Sequence, residues 1–256
     1  MQCDSKNVII SAEHYRKIFG SGDSVQEIFS DFNLEIYQED FTVIMGSSGA
    51  GKSTLMYSLS GMDKPTSGKI TFCGTDITNL SSDKLAVFRR KNCGFVFQQV
   101  YLLDKMSLMD NVITAGALTN KNRKEIISRA KELFKLVNIP EVTQKKMPSK
   151  ISGGEAQRAG IVRAVINQPK VVFADEPTGA LNSNNSQAVL DVLSKLHQNG
   201  QSIIMVTHDK KSALRGSRII YLKDGQVLGE CKLGEYVSDT PERTQKLEEF
   251  LVQMGW

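Results

Sequence analysis

The segment Gly46-Ser47-Ser48-Gly49-Ala50-Gly51-Lys52-Ser53 has the spacing G-x-x-x-x-G-K-[ST], and that spacing has a mechanical reason. Glycines let the backbone curl until successive N–H groups and the start of the following helix point at one anion. A lysine directly after the last glycine then reaches the β- and γ-phosphates of a nucleotide, and the next hydroxyl is placed to ligate Mg²⁺. Lys52 and Ser53 take those roles, and Thr54 carries the cradle into the helix. A merely structural glycine-rich turn would not require the full motif between a strand and a helix.

Val171-Val172-Phe173-Ala174-Asp175-Glu176 is an apolar run that ends in two carboxylates. In an open parallel sheet the ligand lies beyond the carboxyl ends of the strands, which directs both acids toward the phosphate loop. Asp175 suits Mg²⁺ through its water shell, and Glu176 suits orienting and deprotonating an attacking water. Alone, such a pair reads equally well as a solvated turn. Gln98 closes Gly94-Phe95-Val96-Phe97-Gln98 with an amide suited to the metal or the water, and His208 stands just past Ile203–Thr207. Each alone is more often an ordinary boundary residue. Together with the phosphate loop they form a catalytic set of Lys52, Gln98, Glu176 and His208, and a metal set of Ser53, Gln98 and Asp175.

Ile151-Ser152-Gly153-Gly154-Glu155-Ala156-Gln157-Arg158 holds no nucleophile beside a base and no aromatic. Ser152 followed three residues later by Glu155 is a capping box, so a helix starts here. Ser152, Gly153 and Gly154 then present N–H groups and the positive dipole end, with no bulky side chain in the way. The chain already has one complete phosphate loop, so this second anion site is assigned to a second ATP.

The elements that must position these residues follow from periodicity. Strands are predicted over Asn7–Ala12, Asn33–Ile36 and Phe41–Met45, separated by Gly20, Gly22 and the polar Tyr37–Asp40 turn. A helix over Lys52–Ser60 follows the loop and stops at Gly61, and strands follow at Lys69–Cys73 and Cys93–Gln98. Met106–Ile139 reads as helical up to Pro140, with Ile126, Ile127, Ala130, Leu133, Phe134 and Val137 on one face. Strands at Lys170–Ala174 and Ser202–Thr207 flank a helix at Ser186–Gln198, and Ile219–Leu222 and Gln226–Glu230 form a hairpin around Lys223-Asp224-Gly225. Strands alternating with helices of this length give an α/β fold with a mainly parallel sheet. Thr240 and Pro241 start a last helix whose stripe of Leu247, Phe250, Leu251 and Met254 packs on the core or meets a partner.

Composition limits the classes. With 256 residues, 40% apolar and 23% charged, the chain can bury the core of one large domain or two small ones, and no compositional break separates two. A net charge of +4 is mild, and the richer basic stretch from Lys121 to Lys150 reads as a solvated helical face, so no nucleic acid partner is expected. Cys3, Cys73, Cys93 and Cys231 lie far apart without a metal-ligand spacing. Neither a signal sequence nor a run near the ~20 apolar residues of a membrane span is visible, so a soluble cytosolic chain is expected.

Phosphate loop, Gln98, Ser152-Gly153-Gly154-Glu155-Ala156-Gln157-Arg158, the Asp175-Glu176 strand end and His208, in this order and at these distances, resemble the ATP-binding cassette (ABC) ATPases across essentially the whole chain. The resemblance implies a phosphate-loop NTPase of the ABC type, with a mainly parallel core sheet, an antiparallel β subdomain and an α-helical insertion. Its boundaries here would be 1–93 and 155–256 for the nucleotide-binding core, 94–154 for the helical part and 238–256 for the C-terminal helix. It implies two cassettes paired head to tail, each holding ATP between its own phosphate loop and the other's signature helix. It also puts Phe19 where the family stacks an aromatic on adenine. Glu176-Pro177-Thr178-Gly179-Ala180-Leu181 and Phe97–Leu103 are similar to the lipoprotein-release, macrolide-export and antimicrobial-peptide-resistance group. That group implies a cytoplasmic subunit on the inner face of the cell membrane, driving a separate permease for hydrophobic or amphipathic cargo. Glu155 replaces the commoner glutamine, and Asn182 replaces an aspartate in the loop between the two ATP sites. The apolar Val100–Met109 reads equally as core or as part of a groove for a permease helix. A second ABC subunit, simplest as an identical copy, is the expected partner. A regulatory or scaffolding module without transport is the alternative, and a GTPase is disfavoured because Asn120-Lys121-Asn122-Arg123 lacks an acid to read guanine.

Overall fold

The structure, a computed structural model, describes residues 7–21 and 24–256. Cys3 and Gly22 lie outside the described residues. In chain order the strands and helices are β1 (Val8–Ser21), β2 (Ser24–Tyr37), β3 (Phe41–Gly46), α1 (Lys52–Leu59), β4 (Ser67–Phe72), β5 (Thr75–Asp76), α2 (Ser82–Asn92) and β6 (Cys93–Phe97). Then come α3 (Leu108–Gly116), α4 (Arg123–Leu136), α5 (Glu141–Gln144), a 3-10 turn at Pro148–Lys150, α6 (Gly153–Val165), β7 (Val171–Asp175) and α7 (Ser183–Gln198). The chain ends with β8 (Ser202–Val206), α8 (Lys210–Ala213), β9 (Arg218–Lys223), β10 (Gln226–Lys232) and α9 (Pro241–Gln253). The described backbone forms two compact units, one of the described residues up to 86 together with 202–256 and one of residues 87–201.

In the first unit β3 pairs in parallel with β8 and β9, and β9 turns back antiparallel into β10 through the expected hairpin. All six residues of β3 and all five of β8 are buried, as continuous apolar runs in a sheet covered on both faces require. A separate antiparallel sheet has the order β2-β1-β4-β5. Its strands β1 and β2 are fourteen residues each, far longer than the short runs at Asn7–Ala12 and Asn33–Ile36. Bulges explain the difference: past Ile9 the buried positions of β1 run Ile10, Ala12, Tyr15 and Lys17, and the register shifts between Ala12 and Tyr15. The extra residue breaks strict alternation, and β2 does the same between Phe29 and Phe32.

Tyr15, Phe29 and Phe32 cluster on the inner face of this sheet, with ring centroids 4.9 to 6.2 Å apart and mostly tilted or edge-on, the favoured aromatic arrangements. The Tyr15 hydroxyl lies 2.8 Å from Ser58 Oγ on α1, and burial pushes the phenol up to about 12. This bond ties the antiparallel sheet to the helix that follows the phosphate loop. The tail is fastened by Arg243, whose buried guanidinium donates to the carbonyls of Leu214, Gly216, Leu233, Gly234 and Glu235. Leu247, Phe250 and Leu251 of α9 are buried as the stripe predicts.

In the second unit β6 and β7 pair in parallel. The helical run expected over Met106–Ile139 is divided in two. Ser107 caps α3 by accepting from the Asp110 amide, and Asn122 caps α4 by accepting from the Lys124 amide. Two capped starts mean two helices. Helix α2 carries no amphipathic signal because Leu85 is its one buried residue, and sequence periodicity gave no reason to expect it.

Replacing Tyr15 with Phe removes the hydroxyl partner of Ser58 while keeping the ring. Urea denaturation should register a loss of about 1 kcal/mol, and an unchanged midpoint and slope would mean that the bond contributes nothing to the hold on α1.

Candidate functional site

Strand β3 ends at Gly46 and α1 begins after Gly51, so the loop between them must turn sharply. Gly46 has φ +150°, and a Cβ there would stand 2.1 Å from the carbonyl oxygen of Leu222 on β9. Gly51 has φ +88°, and a Cβ there would meet Ile28 Cγ2 at 2.6 Å and the Phe29 ring at 2.7 Å. Both glycines are therefore imposed by close approach as well as by conformation. Gly51 is the N-cap of α1 and supplies no side-chain cap. Lys52 Nζ donates to the carbonyls of Gly46 (3.0 Å) and Ser47 (2.8 Å), bracing the curl from inside. Ser47, Ser48 and Gly49 are exposed, Ala50 is buried, and Lys52, Ser53 and Thr54 are half-buried.

The same unit carries Phe19 on β1, 43% exposed, with Lys17 Nζ 4.7 Å from its ring centroid. Lys17 is held by Asp63 at 2.6 Å and by the Lys64 carbonyl at 2.7 Å. His208 is exposed just past β8. Asp209 next to it caps α8 by accepting from the Ser212 amide at 2.8 Å, which fixes the backbone where the imidazole leaves.

In the other unit the register Phe97↔Asp175 sets the ends of β6 and β7 side by side. Gln98 is exposed there, and Asp175 and Glu176 are half-buried. A Cβ on Gly179 would lie 2.8 Å from Gln98 Nε2, so the glutamine amide rests on the turn that follows Glu176. Gln98, Asp175 and Glu176 are thus brought together. Glu176 has φ +46°, a left-handed backbone that costs a non-glycine residue about 1–3 kcal/mol and tends to persist where function requires it. The apolar strand pattern carries no sign of that twist.

The capping box at α6 is complete. Ser152 Oγ accepts from the Glu155 amide at 3.2 Å, while the Glu155 carboxylate accepts from the Ser152 amide at 2.8 Å and the Ser152 hydroxyl at 2.9 Å. The bond from the Ser152 amide is the largest of the effects that hold the Glu155 carboxyl below its usual range. The box occupies the Ser152 and Glu155 amides, and among the described residues no group accepts from those of Gly153 and Gly154. A Cβ on Gly154 would collide with the Asn185 side chain, with Oδ1 at 2.2 Å, and one on Gly153 would meet Leu181 Cδ2 at 3.4 Å. The two glycines therefore lie against Leu181 and Asn185. Asn182 is the N-cap of α7 and accepts from the Asn185 amide at 3.0 Å. Asparagine caps a helix as well as aspartate does. The place of Asn185 beside Gly154 is a contact that the motifs did not reveal, because its only sequence signal is polarity in the first turn of α7.

A glycine-curled loop with its lysine, a strand end with two acids and an amide, and a second bare helix start define an ATPase domain of the phosphate-loop α/β class. The family described as "ABC transporter" matches residues 29–179, and the chain belongs to the ATP-binding cassettes of that family. It is 38% identical over 220 residues to an uncharacterized ABC transporter ATP-binding protein of Methanocaldococcus jannaschii, MJ1508, covering 86% of this chain and 98% of that one. It is also 38% identical over 224 residues to the macrolide export ATP-binding/permease protein MacB of Mannheimia succiniciproducens, covering 88% of this chain. The matched part is 35% of that protein, so the chain spans about a third of the length of this relative. Among solved structures, the dimeric post-hydrolysis state of the cassette MJ0796 bound to ADP and Pi superimposes with a TM-score of 0.81 at 35% identity, over 89% of this chain and all of that one.

Because the Glu155 carboxyl is more acidic folded than unfolded, its contribution is present above the unfolded value and is lost as pH falls through the folded one. Acid titration of stability should therefore be shallower in Glu155→Gln than in the parent below about pH 4.5. Identical slopes would show that the box is not coupled to folding.

Proposed function

We propose that this chain hydrolyses ATP as a dimer of identical cassettes and thereby drives a separate membrane permease that exports or extracts hydrophobic or amphipathic cargo. The observation that carries this reading is the second helix start, whose Gly153 and Gly154 amides have no described acceptor although the chain has its own phosphate loop. A helix start of this kind suits the γ-phosphate of a nucleotide held by the partner. Similarity to the macrolide exporters supports the direction of transport. Among the described residues no helix is long and apolar enough to cross a membrane. The name of the macrolide relative, an ATP-binding/permease protein, supports a permease as the partner of the cassette.

The proposed roles follow from residue chemistry and from the motifs of the family. Phe19 stacks on the adenine, and the amides of Gly46–Thr54 with Lys52 hold the phosphates. Ser53, Gln98 and Asp175 offer a hydroxyl, an amide oxygen and a carboxylate, all hard oxygen donors of the kind Mg²⁺ takes. When bound there, Mg²⁺ supplies charge neutralisation for the β- and γ-phosphate oxygens. Glu176 orients the water and takes its proton, and His208 offers its imidazole to the γ-phosphate. Loss of the γ-phosphate removes the bridge between the cassettes and reopens the dimer.

Glu176→Gln keeps the shape and removes the base. It should lower Mg-ATP turnover about 10²-fold or more and accumulate an ATP-bound dimer by light scattering. Parental turnover in that variant would exclude Glu176 as the base, and a monomer under saturating ATP would exclude the shared site.

A further inference from the structure

One face of α6 is fastened to the segment that carries Gln98. Gln157 Nε2 donates to the Phe97 carbonyl at 2.9 Å, on one side of Gln98. Arg163 donates from Nη2 to the Val100 carbonyl at 2.7 Å and from Nη1 to the Tyr101 carbonyl at 2.5 Å, on the other side. Between them Gly160 leaves room for Val100, since a Cβ at 160 would stand 2.7 Å from Val100 Cγ1. Positions 157, 160 and 163 are three apart, so they form one ridge of the helix. Gln157 is buried and Arg163 is half-buried. Burial works against the guanidinium charge, which the two carbonyls offset. Tyr101 is held at φ +51°, a left-handed backbone that needs outside support in a residue of this size.

We infer that Gln157 and Arg163 are positioning residues that lock the Gln98 segment to α6, so that the Ser152–Gly154 helix start and the Gln98 amide move as one piece. This rests on the functional reading above, in which the first serves the partner's nucleotide and the second the chain's own. The bonds brace the backbone on both sides of Gln98 and leave its side chain exposed over Gly179. A shift of α6 on meeting the second ATP is therefore transmitted to Gln98 without passing through the phosphate loop. The two ATP sites are linked inside each chain as well as across the dimer.

The test uses the full chain. Arg163→Ala should lower kcat for Mg-ATP about tenfold to hundredfold, the scale of an angstrom-sized misplacement, and leave the Mg-ATP Kd within about twofold because no phosphate ligand changes. Arg163→Lys should recover part of the rate, since an ammonium can reach the carbonyls without the bidentate fork. Gly160→Ala should push Val100 away and lower kcat, and Val100→Ala in the same chain should restore it. Amide exchange of residues 98–103 should rise in Arg163→Ala. The inference is overturned by parental kcat in Arg163→Ala, by kcat and affinity falling together, by no rescue from Val100→Ala, or by unchanged exchange. If Arg163→Ala does not fold, the Gly160 and Val100 pair decides. A parent without turnover would sink the functional reading instead, and exchange would still decide whether the staple exists.

Discussion

A loop can curl its backbone amides around an anion where glycines relieve both the conformation and the crowding, and this chain places such glycines at two helix starts. At the phosphate loop the constraint comes from outside: the Leu222 carbonyl and the Phe29 ring occupy the space that side chains at 46 and 51 would need. The antiparallel sheet thus does more than cover the core. Its Tyr15, Phe29 and Phe32 cluster presses on the loop and, through Ser58, on the helix that the loop feeds. At α6 the constraint is internal, because the capping box uses the amides on either side of Gly153 and Gly154 and Asn185 fills the space beside Gly154.

The second unit is organised around side chains that hold backbone. Asn111, buried, accepts from the Leu103 amide and donates to the carbonyls of Leu103, Met106 and Ser107, which shapes the segment leading into α3. Within Val100–Met109, Leu108 is fully buried while Tyr101 and Leu103 are more than half exposed. That segment is core at one end and surface at the other. The left-handed backbone at Tyr101 falls where Arg163 holds the carbonyls of Val100 and Tyr101, as expected if the surroundings must over-determine it.

Local chemistry was legible in the sequence and long-range partnership was not. The phosphate loop, the capping box at Ser152 and Glu155, the Lys223-Asp224-Gly225 hairpin and the cap at Thr240 are written in consecutive residues, each with its own physical rule. The length of β1 and β2 was hidden because bulges shift the inward positions by one. Helix α2 was hidden because one buried leucine makes no stripe, and the break between α3 and α4 because the caps at Ser107 and Asn122 lie inside an otherwise helical pattern. The contacts of Asn185 with Gly154, and of Gln157 and Arg163 with the Gln98 segment, join residues that are distant in sequence. Asn182 stands where the resemblance puts an aspartate. The structure gives Asn182 a capping role that asparagine fills.

The central claim is that each ATP is held by the phosphate loop of one chain and the α6 start of another. Mixing Lys52→Ala with Gly153→Asp chains tests it most directly, since each variant alone spoils both shared sites and the mixed dimer keeps one intact. The account predicts that two inactive preparations regain about a quarter of parental turnover when mixed in equal amounts, for random pairing and independent sites. A mixture as inactive as its parts, with mixed dimers demonstrated by mass, would contradict it.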